Sequence, residues 1–395
     1  MQEFKVPSSK SISNRLLIIK YLSKSDKIIK NLSLAEDTLL MQDILNQIDK
    51  SSYNYIFCDN AGTVTRFILS LLALKEGIWK IDASNQMRER PIKPLLEVLK
   101  NLGAEIIYLE DEDTLPIQVV GGNLIGGKMI AINSQQSSQF ISSLLLVSPY
   151  IKGGLSIQID EDMVSKPYLK MTIDLMKKFG ANIKEKGSQL IIRPSKYNFE
   201  ETEVENDWSS VCFAFEKLSI LKGEAIFIKN LYTNSLQADS IAITYFSYFG
   251  INAQFENNGL RISYNHENIY KGKELLLDIN DCPDIFPSLA LVSLFSEKKV
   301  VFIGIISLEF KESNRIKAMA EGLRQIGAKV SFDKDRFTVD GFQEKELINK
   351  PILIKTYDDH RIAMTFAIVA IKYPNIQIDN NDCVSKSFPM FWENL

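Results

Sequence analysis

MTIDLMKKFGANIKEKGSQLIIRP, residues 171–194, reads as an amphipathic helix, a glycine, and two short strands joined by a polar turn. The unit recurs as LLEVLKNLGAEIIYLED (95–111), whose second strand is read at Ile117–Val120, as AITYFSYFGINAQFENNGLRISY (242–264), and as AMAEGLRQIGAKVSFDKDRFTVDG (318–341). Its glycines, Gly103, Gly180, Gly250 and Gly327, stand 77, 70 and 77 residues apart, too far for a solenoid. Each fits the position just past a helix, where left-handed backbone turns the chain straight into a strand. Leu95, Leu96, Leu99 and Leu102 give the first helix one apolar face, so each unit is a helix packed on a sheet.

Longer apolar helices are predicted over about 12–24, 63–74, 137–148, 208–219, 284–296 and 360–372, each opening just after a polar or charged cluster. The pattern predicts six α/β units shared by two similar domains, with a break in the acidic EETEVENDW stretch near Asn206–Trp208. Helix N-termini expose free N–H groups and a positive dipole end, so several converging would suit anionic ligands.

At 395 residues, with 45% hydrophobic and 24% charged residues, the chain can bury two cores. A net charge of −3 gives no global cationic field, which argues against a nucleic-acid or anionic-membrane partner and for small molecules. Cys58, Cys212, Cys282 and Cys383 form no CxxC pair and His266 and His360 are isolated, suggesting neither a zinc site nor a disulfide framework. With no long apolar run and no signal-like N-terminus, a reducing cytoplasm is the expected compartment; separately, a monomer is expected.

Chemistry-bearing residues gather ahead of the apolar helices. PSSKSISNR (7–15) places Lys10, Ser11 and Arg15 at the first helix start, and NAGTVTR (60–66) places Gly62 where backbone can approach a ligand. MRERP offers Arg88 and Arg90; SSQF offers Ser137, Ser138 and Gln139; SKPY offers Ser165, Lys166 and Tyr168. NDCPD carries Asp281 and Asp284, and KESNR sets Glu312 between Lys311 and Arg315, an arrangement that serves either an ion-pair network or acid/base work. DDHR ends in Arg361, a cation at the positive end of a helix that is unfavourable unless an anion joins it. CVSKSFP adds Lys386. Taken singly, the PSSKSISNR and NAGTVTR motifs are better explained by capping, solvated charge or a turn glycine, and the others are weak, Arg361 apart.

Taken in order, PSSKSISNR, NAGTVTR, RERP, SSQF, SKPY, PD, KESNR, DHR and SKSFP resemble the EPSP synthase family across nearly the whole chain. The resemblance implies an α/β, two-domain enolpyruvyl transferase fold, each domain built of three βαβαββ units with pseudo-threefold symmetry. It implies a shikimate-phosphate-binding domain over 10–207, and a second domain, 1–9 plus 208–395, carrying the acid/base residues and part of the phosphoenolpyruvate (PEP) site. The implied reaction moves the enolpyruvyl group of PEP to the 5-hydroxyl of shikimate 3-phosphate by addition and elimination, without metal or cofactor. Lys10, Ser11, Arg15, Ser137, Ser138, Gln139, Ser165, Tyr168, Asp284 and Lys311 are the implied shikimate 3-phosphate residues. Lys10, Gly62, Arg90, Gln139, Arg315, Arg361 and Lys386 are the implied PEP residues. Asp284 would take the 5-hydroxyl proton and Glu312, assisted by Lys10, would protonate the PEP methylene. Domain closure would exclude water, and glyphosate would compete with PEP beside Gly62.

The chain departs from the pattern in three places: a strand before the Lys-Ser motif looks missing or reduced, Asn314 replaces an aspartate, and Glu309 replaces a basic residue. A catalytically impaired homologue is therefore one alternative. A UDP-N-acetylglucosamine enolpyruvyl transferase is another, opposed by the missing Lys-Asn pair and loop cysteine.

Overall fold

The computed structural model describes residues 2–49, 54–132, 137–160, 163–342 and 351–395. Two compact units emerge, Lys10–Val204 and Met1–Ser9 with Glu205–Leu395. The second crossing falls three residues ahead of the break read from sequence. The reason is local pairing: the Ser9 N–H donates to the Glu205 carbonyl at 2.9 Å and the Asp207 N–H to the Pro7 carbonyl at 2.8 Å. These bonds fasten 205–207 to the N-terminal segment.

In the Lys10–Val204 unit, strands Tyr55–Phe57 and Gly77–Asp82 run parallel, and Ile117–Gly121 and Glu105–Tyr108 continue the sheet antiparallel. Helices Gly62–Leu74 and Lys93–Asn101 make the connections, giving the order βαβαββ. The next copy repeats it with Met129–Ala131, Leu155–Gln158, Asn182–Lys186 and Gln189–Arg193, joined by helices Gln139–Val147 and Lys166–Lys178. A third copy is abbreviated to helices Lys10–Ser23 and Glu36–Gln47 with the parallel pair Ile29–Lys30 and Thr202–Glu203.

The other unit is built alike. Gln2–Glu3 pairs parallel with Ile226–Lys229. Glu274–Asp278, Lys299–Ile303, Arg336–Phe342 and Ala328–Phe332 form the second sheet, and Ile352–Ile354 with Ile376–Ile378 the abbreviated third. Gly103, Gly180, Gly250 and Gly327 have φ of 107, 94, 91 and 90°, the left-handed turn read from the repeat.

Helices Trp208–Leu221, Phe286–Val292 and His360–Lys372 are buried nearly all round and form the core of this unit with Phe302, Phe337 and Phe388. The helix expected over 284–296 is broken into a 3-10 turn at Pro283–Ile285, the helix Phe286–Val292 and a second 3-10 turn. Pro283 and Pro287 remove N–H donors from its start.

Candidate functional site

Four of the predicted clusters lie at helix starts of the Lys10–Val204 unit: Lys10 opens one helix, Gly62 another, Gln139 a third, and Ser165 caps the fourth. Arg15 ties three of these helices together. Its guanidinium donates to Thr172 Oγ1 at 2.7 Å, the Ser11 carbonyl at 2.8 Å, the Tyr168 carbonyl at 3.3 Å and Ser142 Oγ at 3.5 Å. All four acceptors are neutral, and burial pulls the guanidinium down to about 10, with Tyr168 opposing. It stays charged at neutral pH, a buried cation held by neutral acceptors with no carboxylate partner among the described residues.

Ser165 has φ 55° and is buried, a left-handed non-glycine residue whose carbonyl accepts the Tyr168 N–H at 3.1 Å. Ser138 is buried just before the Gln139 helix, and Ser137 Oγ accepts the Gln139 N–H at 3.2 Å. Gln139 bridges two groups at the next helix start: its Oε1 accepts from Arg66 at 2.6 Å and its Nε2 donates to Thr63 Oγ1 at 3.1 Å. A Cβ on Gly62 would lie 2.7 Å from Arg66 Nη1 and 2.9 Å from Arg90 Nη1, so Gly62, Arg66 and Arg90 crowd one spot. Lys10 pairs with the buried Asp37 at 2.9 Å. Arg88 instead holds Asp82 at 2.9 Å and Glu110 at 2.8 Å, a structural ion pair.

The predicted acids lie in the other unit, around Arg315. This buried guanidinium donates through Nη1 to Asp284 at 2.8 Å, through Nη2 to Glu312 at 2.7 Å, and through Nε to Asp359 at 2.8 Å. Lys311 lies 3.2 Å from Asp284 Oδ1, Arg361 3.2 Å from Asp284 Oδ2, and Lys386 3.7 Å from Glu312. Among the described residues four cations, Arg315, Lys311, Arg361 and Lys386, face Asp284, Glu312 and Asp359, and Asp239 and Asp207 also act on Arg361. Burial alone would raise the Asp284 carboxyl, but Arg361, Lys311 and Arg315 together hold it well below the usual range. Burial pulls the Lys311 ammonium down while Asp284 opposes it.

The departures from the motif pattern find places too. Asn314 caps the helix it precedes, accepting the Lys317 N–H at 3.1 Å, so the cap survives loss of the carboxylate. Glu309 is exposed on a 3-10 turn, and among the described residues no ion pair joins it to the cluster. Asp281 is exposed on its loop, apart from the Arg315 network.

Several members were not singled out from sequence. Arg66 interrupts an apolar helix, which was a usable signal. Asp359 reads as a helix cap, and it does accept the Arg361 N–H at 3.0 Å, but its second oxygen also takes Arg315 and Ser313. Asp37 and Asp239 had no distinguishing sequence signal. Asp239 is buried, takes a bond from Ser209, and is pushed up to about 7 by burial and by Asp284.

The profile of the family described as EPSP synthase (3-phosphoshikimate 1-carboxyvinyltransferase) matches residues 2–395. A 3-phosphoshikimate 1-carboxyvinyltransferase of Bacteroides fragilis is 34% identical over 391 residues, 99% of this chain and 93% of that one. One from Buchnera aphidicola is 34% identical over 424 residues, with the same coverage. The structure of EPSP synthase from Acinetobacter baumannii superposes with TM-score 0.76 at 21% identity, covering 99% of this chain and 94% of that one. The enolpyruvyl transferase NikO from Streptomyces tendae gives TM-score 0.76 at 12% identity, covering 100% and 94%, a likeness of fold. With a full-length profile match and relatives above 30% identity, this chain belongs to the EPSP synthase family.

Proposed function

We propose that this protein transfers the enolpyruvyl group of PEP to the 5-hydroxyl of shikimate 3-phosphate, releasing phosphate, in the shikimate pathway to chorismate. The observation that supports the assignment is Arg315 joining Asp284 and Glu312 inside a buried cluster that also holds Lys311, Arg361 and Lys386. Asp284 accepts the 5-hydroxyl proton as the oxygen bonds to C2 of PEP, and Glu312 delivers a proton to the methylene carbon. In the second step Glu312 takes a proton back from that methyl group, the bond from C2 to the phosphate oxygen breaks, and the proton on Asp284 leaves with phosphate. Asp284 is a weak base while three cations face it; an anionic substrate that draws on Arg315, Arg361 and Lys311 raises its basicity when needed.

In this proposal Ser137, Ser138 and Ser165 hold the phosphate of shikimate 3-phosphate, with Lys10, Ser11, Arg15, Gln139 and Lys311 as further ligands and Tyr168 beside the ring. Gly62, Arg90, Arg315, Arg361 and Lys386 take PEP, whose carboxylate and phosphate suit bidentate arginines, with Lys10 and Gln139 serving both substrates. Phosphate release from shikimate 3-phosphate and PEP tests the activity. Release by the parent and loss in Asp284→Ala and Glu312→Ala supports it; no release from a parent that still binds shikimate 3-phosphate overturns it.

A further inference from the structure

Helices Lys10–Ser23, Glu36–Gln47 and Gly62–Leu74 border a cavity of about 800 Å³ near their C-terminal ends, away from the helix starts that carry Lys10 and Gly62. Leu17, Leu45 and Leu71 give it apolar walls, and among the described residues Lys20, Lys24 and Lys75 stand around it with one carboxylate, Asp49. Asp49 is already engaged, accepting from Tyr21 Oη at 2.7 Å and from Lys75 Nζ at 3.0 Å. Among the described residues Lys20 makes no ion pair, and Lys24 makes none at salt-bridge distance although it acts electrostatically on Asp49.

Lysines at helix C-termini are favoured by the dipole wherever they occur. Dipole compensation does not require an apolar hollow beneath them, and a hollow of this size falls in the range that takes small organic ligands. We propose that the cavity is a second small-molecule site, for a ligand with an apolar body and one carboxylate: the body against Leu17, Leu45 and Leu71, the carboxylate at Lys20 and Lys24. The complementarity is of charge as well as shape, since three ammonium groups meet one carboxylate that is already bonded.

Calorimetric titration with 3-phenylpropionate, beside its uncharged counterpart 3-phenylpropan-1-ol, tests this. The parent should bind the acid more tightly than the alcohol, with affinity weakened about fivefold or more in Lys20→Gln/Lys24→Gln. Binding should vanish in Leu45→Trp, which fills the hollow, and persist in Lys386→Met, a change in the other compact unit. Should Leu45→Trp fail to fold, Gln42→Trp on the exposed rim is the second filling variant. No binding by the parent, equal binding by the alcohol, unchanged binding in the lysine and filling variants, or loss in Lys386→Met would each overturn the proposal.

Discussion

Arg315 Nη1 stands 2.8 Å from Asp284 Oδ1, and the same guanidinium holds Glu312 and Asp359. One guanidinium therefore bridges three acids in a space where unpaired carboxylates would repel, and Lys311, Arg361 and Lys386 supply the rest of the compensating charge. Arg315→Met should cost roughly 3–5 kcal/mol in urea unfolding at neutral pH, because it strands buried charges. Asp284 has a lowered folded-state pKa, so its stabilisation is present above the ordinary carboxylate range and is lost as pH falls through that lowered value. The gap between parent and variant should narrow in acid. A gap of constant size would assign the effect to packing.

Asp239 carries the opposite shift, up to about 7 from burial first and Asp284 second, against the pull of Ser209 and Arg361. A raised acid binds its proton more tightly when folded, so this group erodes stability as pH climbs from the ordinary carboxylate range to about 7. Asp239→Asn should gain melting temperature relative to the parent over that interval and hold the gain above it. Ionised Asp239 also competes for Arg361, so the ratio of parent to variant KM for PEP should rise as pH passes about 7. A ratio independent of pH would remove Asp239 from any electrostatic role at the site.

Glu216 sits buried in the Trp208–Leu221 helix, and neither carboxylate oxygen makes a hydrogen bond of good geometry. Burial holds it well above the usual range, with Ser288 opposing, so the proton stays on far above the unfolded value. By the same linkage its penalty grows once pH exceeds the unfolded pKa and is absent below it. Glu216→Gln should raise the melting temperature near pH 7.5 and leave it unchanged near pH 4, read by differential scanning calorimetry. A gain of equal size at both would show that ionisation is irrelevant there.

Much of this architecture was legible because it is local. The four glycines follow from helix-to-strand turns that short sequence windows encode, and motifs ahead of apolar helices mark helix starts. The partners were not legible. Asp37 pairs with Lys10 across 27 residues, Thr172 with Arg15 across 157, and Asp359 with Arg315 across 44. Such pairs are set by how helices pack, which no periodicity in one segment reports. Asp239 is the clearest case, since an aspartate in LQADS looks like any turn residue until burial raises its pKa. The sequence reading put the crossing at 207/208 and the compact units divide at 204/205, a difference set by backbone pairing between 7–9 and 205–207 that is invisible to composition.

Gly62 gives the sharpest test of the PEP assignment. A methyl group there would press on Arg66 Nη1 at 2.7 Å and on Arg90 Nη1 and Cζ at 2.9 and 3.0 Å. These are the far ends of flexible side chains, so the fold can yield by moving them, and Gly62→Ala should melt within a few degrees of the parent. The anion-binding geometry cannot be kept at the same time, because the two guanidinium groups that move are the ones crowded at this helix start. KM for PEP should rise about tenfold, the effect of one added carbon in a fitted site, with KM for shikimate 3-phosphate little changed. Glyphosate, expected to compete with PEP, should lose inhibition by at least as much. Equal inhibition of both variants, or a rise in the shikimate 3-phosphate KM alone, would move Gly62 and Arg90 out of the PEP site and leave its recognition to Arg315, Arg361 and Lys386.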